Sequence, residues 1–135
     1  CKEAVYEFGR LLGIAFQLQD DYLDAFGDPE TFGKQPGGDI IENKKTFLYL
    51  KSLEASGKSE AQQLEHLYTI NPVETSGKIE AVKTLFENSG AAALTQREIE
   101  KYTEKAFKVL DEIDISEEKK RPLRQFGEML MNRTV

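Results

Sequence analysis

Three aspartates near the end of an apolar stretch are the residues of this chain whose types and spacing best suit chemistry. Asp20, Asp21 and Asp24 follow Gln17, and a helix turning about 100° per residue places all four within an arc of about 100°. Like charges at neighbouring helical positions repel, and buried carboxylates lose hydration, so this face needs a neutralising partner. A hard cation would supply that neutralisation. A bare acidic triplet is also typical of a solvated helix face, and the context of the triplet has to decide between the two interpretations.

The segment after the aspartates supplies lysines and glycines. It reads Gly33-Lys34-Gln35-Pro36-Gly37-Gly38-Asp39, and Lys44 and Thr46 follow at the start of the next predicted helix. Mg²⁺ commonly shares its shell between one or two carboxylates and phosphate oxygens, and lysine adds a point positive charge to the same phosphates. The combination predicts a magnesium site that takes a phosphorylated ligand.

Composition limits the classes of function. The chain has 135 residues, 39% of them hydrophobic and 31% charged, which is enough for a single domain. Its net charge of −6 argues against nucleic-acid binding, which needs clustered Lys and Arg. With one cysteine, Cys1, there is no internal disulfide, so a reducing, cytoplasmic setting is the expectation. No stretch approaches the length of a membrane span, and no signal-peptide pattern is present.

Apolar residues recur at spacings of three and four along most of the chain, which predicts an all-α helical bundle. The first helix should bury Phe8, Leu12 and Leu18, and its apolar flanks should hold the acidic face in the wall of the core. Gly9 and Gly13 leave room beside this helix or allow close helix packing. Gly and Pro rule out regular structure in Phe26–Ile41, a long connection that could close over a ligand. The predicted helices span about Lys2–Ala25, Asn43–Ala55, Ser59–Thr69, Gly77–Asn88, Ala91–Ile113 and Ser116–Asn132. Ser76 should cap the fourth of these helices, and the last should bury Leu123, Phe126 and Leu130.

The motifs resemble those of the trans-type isoprenyl diphosphate synthases, the polyprenyl synthetase family. Phe16-Gln17-x-x-Asp20-Asp21-x-x-Asp24 is similar to the second aspartate-rich motif of that family, and Gly33-Lys34-x-x-Gly37-x-Asp39 and Lys44-x-Thr46 follow as the family pattern requires. The resemblance is dense over about 9–53 and specific in its spacing. It implies the isoprenoid synthase fold and a homodimer.

The resemblance also implies roles for individual residues. Asp20, Asp21 and Asp24 would hold Mg²⁺ that bridges to an allylic diphosphate, and Asp20, Asp21 and Lys34 would act in catalysis. Gln17, Lys34, Lys44 and Asp39 would bind substrate. The reaction would be the condensation of an allylic diphosphate with isopentenyl diphosphate.

One departure from the family pattern qualifies this expectation. The family carries a first aspartate-rich motif on an earlier helix, and nothing in these residues matches it. Cys1 also opens directly onto a helical pattern without a cap signal. We therefore expect the C-terminal part of a family member, inactive alone. Two alternatives stay open: a non-catalytic small or regulatory subunit that binds Mg-diphosphate or a partner synthase, and a plain helical interaction domain.

Overall fold

Helices make up the regular structure of residues 2–27 and 37–132, the part of the chain that the computed structural model describes. Seven helices and no strand are found there, so the all-α prediction is confirmed for these residues. In chain order they are α1 (Lys2–Phe26), α2 (Gly38–Ile41), α3 (Phe47–Ala55), α4 (Lys58–Leu67), α5 (Ser76–Asn88), α6 (Ala91–Glu112) and α7 (Glu117–Met131).

The two longest helices, α1 and α6, pack against each other more extensively than any other pair. This pairing divides the apolar interior into two clusters. One lies beside the N-terminal half of α1, where α6 and α7 contribute Ala106, Leu110 and Leu123. The other lies beside the C-terminal end of α1 and gathers side chains from α2 to α6, among them Ile40, Leu48, Leu64, Val82 and Phe86. The second cluster supports the acidic end of α1.

Local sequence sets several helix boundaries. The hydroxyl of Thr46 accepts a hydrogen bond from the amide of Tyr49 at 3.4 Å, so Thr46 caps α3. Ser116 caps α7 in the same way through the amide of Lys119. Gly90 separates α5 from α6 with φ of 86°, a left-handed conformation that glycine adopts without steric cost.

Several predicted boundaries were wrong. Phe26 continues α1, and Gly38–Ile41 is a short helix, so neither of these parts of Phe26–Ile41 is irregular as predicted. Thr46 caps α3 rather than lying inside it, because its hydroxyl competes for the first free amides. Ser76 begins α5 and does not cap it, since its amide and hydroxyl both donate to Glu74.

The packing of α7 also differs from the prediction. Phe126 was expected inside and is 51% exposed. The next residue, Gly127, is buried instead, and a Cβ added to it would lie 2.8 Å from the ring of Phe107. The small residue lets α7 approach α6 closely, and that approach turns Phe126 outward. Pro122 lies within α7, and the helix begins before it at Glu117.

Candidate functional site

The predicted acidic face occupies the last two turns of α1. Asp21 is 8% exposed and Asp24 4% exposed, whereas Asp20 is half-buried and Gln17 lies at the surface. Two carboxylates therefore lie in the wall of the core, as the apolar flanks predicted, and not on a solvated face.

Asp24 ties the segment after α1 back onto α1. The amide of Gly37 donates to the backbone carbonyl of Asp24 at 2.5 Å, and the amide of Asp39 donates to Asp24 Oδ2 at 2.7 Å. Gly37 has φ of 97°, which lets the chain turn sharply at this point. A hydrogen bond to a carboxylate is stronger than one between neutral groups. The two bonds place Asp39 next to the acidic face.

Asp21 is the carboxylate most affected by its surroundings. Burial raises the pKa of Asp21, because the charged form loses hydration, and the charges of Asp20 and Asp24 act in the same direction. The side chain of Gln17, whose Nε2 donates to Asp21 Oδ1 at 3.1 Å, and the ammonium of Lys44 oppose this rise. A buried carboxylate whose pKa is raised by burial and by neighbouring charges is a candidate for a functional site.

Lys44 brings a positive charge to the same place. Its amide donates to the carbonyl of Asp39 at 2.8 Å, and its Nζ lies 3.9 Å from Asp39 Oδ1. The ammonium is more than half exposed, so this ion pair contributes little to stability. It keeps Lys44 near the carboxylates while leaving it open to an anionic ligand. Lys34, Gly33 and the rest of 28–36 lie outside the described residues.

Two residues near the site were missed by sequence reasoning. Tyr68 is buried and its ring stacks on Tyr49 with centroids 4.2 Å apart. Burial raises the pKa of the Tyr68 phenol, and the negative charges of Asp39 and Asp24 add to the rise. Lys78, 4% exposed, contacts the turn that leads to Lys44. Neither residue carries a local sequence signal, because each reaches the site from a distant helix or connection.

The carboxylates fit a shared magnesium site better than a cage built by the protein. Among residues 2–27 and 37–132, no three His, Cys, Asp or Glu side chains are grouped so that they could hold a metal ion. Mg²⁺ keeps several waters and needs only one or two carboxylates when phosphate oxygens complete its shell. Asp20 and Asp21 could supply those one or two carboxylates, whereas the carboxylate of Asp24 already accepts a hydrogen bond from the amide of Asp39. The three-ligand assignment stays a prediction.

Comparison with known proteins identifies the family. The sequence profile of the polyprenyl synthetase family matches residues 1–86, more than half of the chain. The chain belongs to the polyprenyl synthetase family. The family predicted from the motifs around Asp20 and Lys44 is thereby confirmed.

Solved structures of polyprenyl synthetases have the same fold. A crystal structure of a geranylgeranyl pyrophosphate synthase is 50% identical with a TM-score of 0.85, and the match covers 98% of this chain and 42% of that one. A second such synthase, from Corynebacterium glutamicum, was solved in complex with isoprenyl diphosphate and magnesium. It is 30% identical with a TM-score of 0.84, and the match covers 97% of this chain and 37% of that one.

Curated polyprenyl synthetases give the same result over shorter regions. Farnesyl pyrophosphate synthase of Gallus gallus is 38% identical over 102 residues, which are 76% of this chain and 26% of the relative. Geranylgeranyl diphosphate synthase of Methanosarcina mazei is 36% identical over 89 residues, which are 62% of this chain and 28% of the relative. The chain therefore spans about a quarter of the length of these relatives. No described helix is long and apolar enough to cross a membrane.

Proposed function

We propose that this chain is the C-terminal part of a prenyltransferase that condenses an allylic diphosphate with isopentenyl diphosphate. The observation that carries the proposal is the pair of buried carboxylates at the end of α1, Asp21 and Asp24, with Lys44 beside them. Asp39 links the two, because its amide donates to Asp24 while its carbonyl and carboxylate contact Lys44. Membership of the polyprenyl synthetase family supports the same reaction class.

The oxygen ligands would come from Asp20 and Asp21, with Asp24 as the third predicted ligand, and Mg²⁺ bound there would neutralise both these carboxylates and the substrate diphosphate. Breaking an allylic C–O bond leaves a carbocation and a highly charged diphosphate, so fixed positive charge near the departing oxygens lowers the barrier. Lys44 supplies such a charge from its exposed position beside Asp39. Lys34 is proposed to do the same from the segment before it.

Gln17 would bind the substrate diphosphate, and Asp39 would orient Lys44. Gln17 lies at the surface one turn before the carboxylates, where its amide can contact a diphosphate oxygen and where it already holds Asp21 at 3.1 Å. Asp39 positions Lys44 through its backbone carbonyl and its carboxylate. A fixed lysine loses less freedom when the ligand binds, which increases its contribution to affinity and rate.

The chain alone should not turn over substrate. The relatives are far longer, and the chain matches 42% of one solved synthase, so we propose that the opposite wall of the site comes from outside these residues. An assay with isopentenyl and dimethylallyl diphosphates and Mg²⁺ tests this. No product is expected. Turnover of about 1 per second, ordinary for an enzyme, would refute the proposal that a second wall is required.

A homodimer and a cytoplasmic setting are further parts of the proposal. The homodimer is based on the family resemblance, and the cytoplasmic setting on the single cysteine.

Ligand binding is a separate test, because a single wall can bind without catalysing. Isothermal titration with inorganic pyrophosphate should give a dissociation constant in the millimolar range or below when Mg²⁺ is present, and no binding when EDTA replaces it. Millimolar affinity corresponds to about −4 kcal/mol, a plausible value for a few charged contacts. Equal binding with and without Mg²⁺ would remove the case for a metal-diphosphate site.

A further inference from the structure

Lys78 is a buried charged residue that the proposed reaction does not use directly. It lies in the first turn of α5 and is 4% exposed. Burying an ammonium is costly unless hydrogen bonds replace its hydration. Its Nζ donates to the side-chain carbonyl of Asn43 and, at 2.7 Å, to the backbone carbonyl of Ile70, and it lies 6.0 Å from the centre of the Tyr68 ring. The ammonium thus joins α5 to two separate connections.

Asn43 is the more informative of the two partners. It has φ of 59° and is the only described residue other than glycine with a positive φ. Asparagine tolerates this left-handed conformation better than most residues, but the conformation still needs support from its surroundings. Both ends of the Asn43 amide are held: Oδ1 by Lys78, and Nδ2 by Asn71, to which it donates at 3.3 Å.

The Asn43 turn sets the path of the backbone into Lys44. Directly after the turn, the amide of Lys44 donates to the carbonyl of Asp39 at 2.8 Å, and the amide of Thr46 donates to the carbonyl of Lys44 at 3.0 Å. The same helix that carries Lys78 also supports the other end of this segment, because Ile79 packs against Gly37. The first turn of α5 therefore supports the segment 37–46 at both of its bends.

From these contacts we infer that Lys78 is a positioning residue: by binding Asn43 it holds the left-handed turn that directs Lys44 toward the carboxylate face. The expected effect on ligand binding rests on the proposed function, since the position of Lys44 affects binding only if a diphosphate binds beside it. The positioning itself is a property of the chain without ligand. The two can therefore fail separately.

Amide hydrogen exchange on the ligand-free, full 135-residue chain tests the positioning. Lys78→Met keeps most of the buried side-chain volume and removes the donor. We expect the amides of Lys44 and Thr46 to exchange about 10-fold faster or more, while that of Ala106 in the other cluster does not change. Lys101→Met, which removes a half-exposed ammonium paired with Glu98, is the matched control and should change none of these rates.

A second variant covers the case in which Lys78→Met does not fold. Asn43→Gly leaves the left-handed conformation accessible but removes the acceptor of Lys78, so the same acceleration at Lys44 and Thr46 is expected. Wild-type exchange at these two amides in a folded variant would overturn the inference. Equal acceleration at these amides and at Ala106 would also overturn it, because that pattern means general destabilisation.

Titration with inorganic pyrophosphate and Mg²⁺ tests the consequence for binding. Lys78→Met should weaken binding about 3-fold or more in the wild-type background and have no further effect in Lys44→Met, because a residue that acts through another loses its effect when that residue is removed. An equal loss in both backgrounds would contradict action through Lys44. If the wild-type chain binds no pyrophosphate, the proposed binding function fails, and the exchange measurement still decides the positioning.

Discussion

Gly37→Ala should destabilise the chain through two distinct effects. The first is conformational: Gly37 has φ of 97°, where an L-residue with a Cβ costs about 1 to 2 kcal/mol. The second is steric: an added Cβ would lie 2.8 Å from Ile79 Cδ1 and 3.0 Å from both of its Cγ atoms. Rotation of the Ile79 side chain cannot move both Cγ atoms away from the new Cβ. Overpacking should therefore destabilise the chain by about a further 1 to 3 kcal/mol. The expected total is about 2 to 5 kcal/mol, or roughly 7 to 18 °C in melting temperature.

Urea unfolding followed by circular dichroism measures this loss. Gly77→Ala is the control, since its added Cβ meets nothing within 4 Å and α5 should gain up to about 1 kcal/mol from the better helix former. Ile79→Ala separates the two effects, because the Gly37→Ala and Ile79→Ala pair should show a favourable coupling of about 1 kcal/mol. A Gly37→Ala variant as stable as Gly77→Ala would refute the reasoning. Zero coupling would refute its steric part.

Two further substitutions test the support of the site. Ser52→Ala should cost about 1 kcal/mol in free energy of unfolding, because the buried hydroxyl donates to the carbonyl of Leu85 at 3.3 Å. The exposed Ser59→Ala is its control, and equal stability of the two variants would contradict the assigned bond. Tyr68→Phe tests the raised phenol pKa. The unfolded phenol ionises near 10.0 and the folded one at higher pH, so the wild type should lose stability relative to Tyr68→Phe as pH rises above 10.0. Parallel stability profiles up to about pH 11.5 would show that the pKa of Tyr68 is not raised.

The first helix and its acidic face could be predicted because their signals are local. Apolar residues at helical spacing define α1 almost to the residue, and the same periodicity places Asp21 and Asp24 at the border of the core. The family resemblance follows from the spacing between Asp20 and Thr46 and needs no structural information. Fold class, the order of the helices other than α2 and the location of the candidate site therefore follow from the sequence.

The support of the site could not be predicted, because it depends on contacts between distant residues. Lys78 lies 35 residues from Asn43, and in the sequence it is one lysine among many surface lysines. The apolar pattern predicted a helix that begins at Asn43, whereas Asn43 adopts a left-handed turn and the helix begins at Phe47. Phe126 was expected inside because its spacing fits, but the close approach at Gly127 depends on the shape of Phe107 in another helix.

The central claim, that the aspartates of α1 bind a metal-diphosphate ligand, is tested most directly by one substitution. Asp20→Asn keeps the shape of the half-buried side chain and removes an anionic oxygen ligand. Titration with inorganic pyrophosphate at saturating Mg²⁺ should show at least about a 10-fold loss of affinity, equivalent to about 1.4 kcal/mol. Asp114→Asn, an exposed aspartate far along the chain, should leave the affinity unchanged. Wild-type affinity in Asp20→Asn, or the same loss in both variants, would contradict the claim.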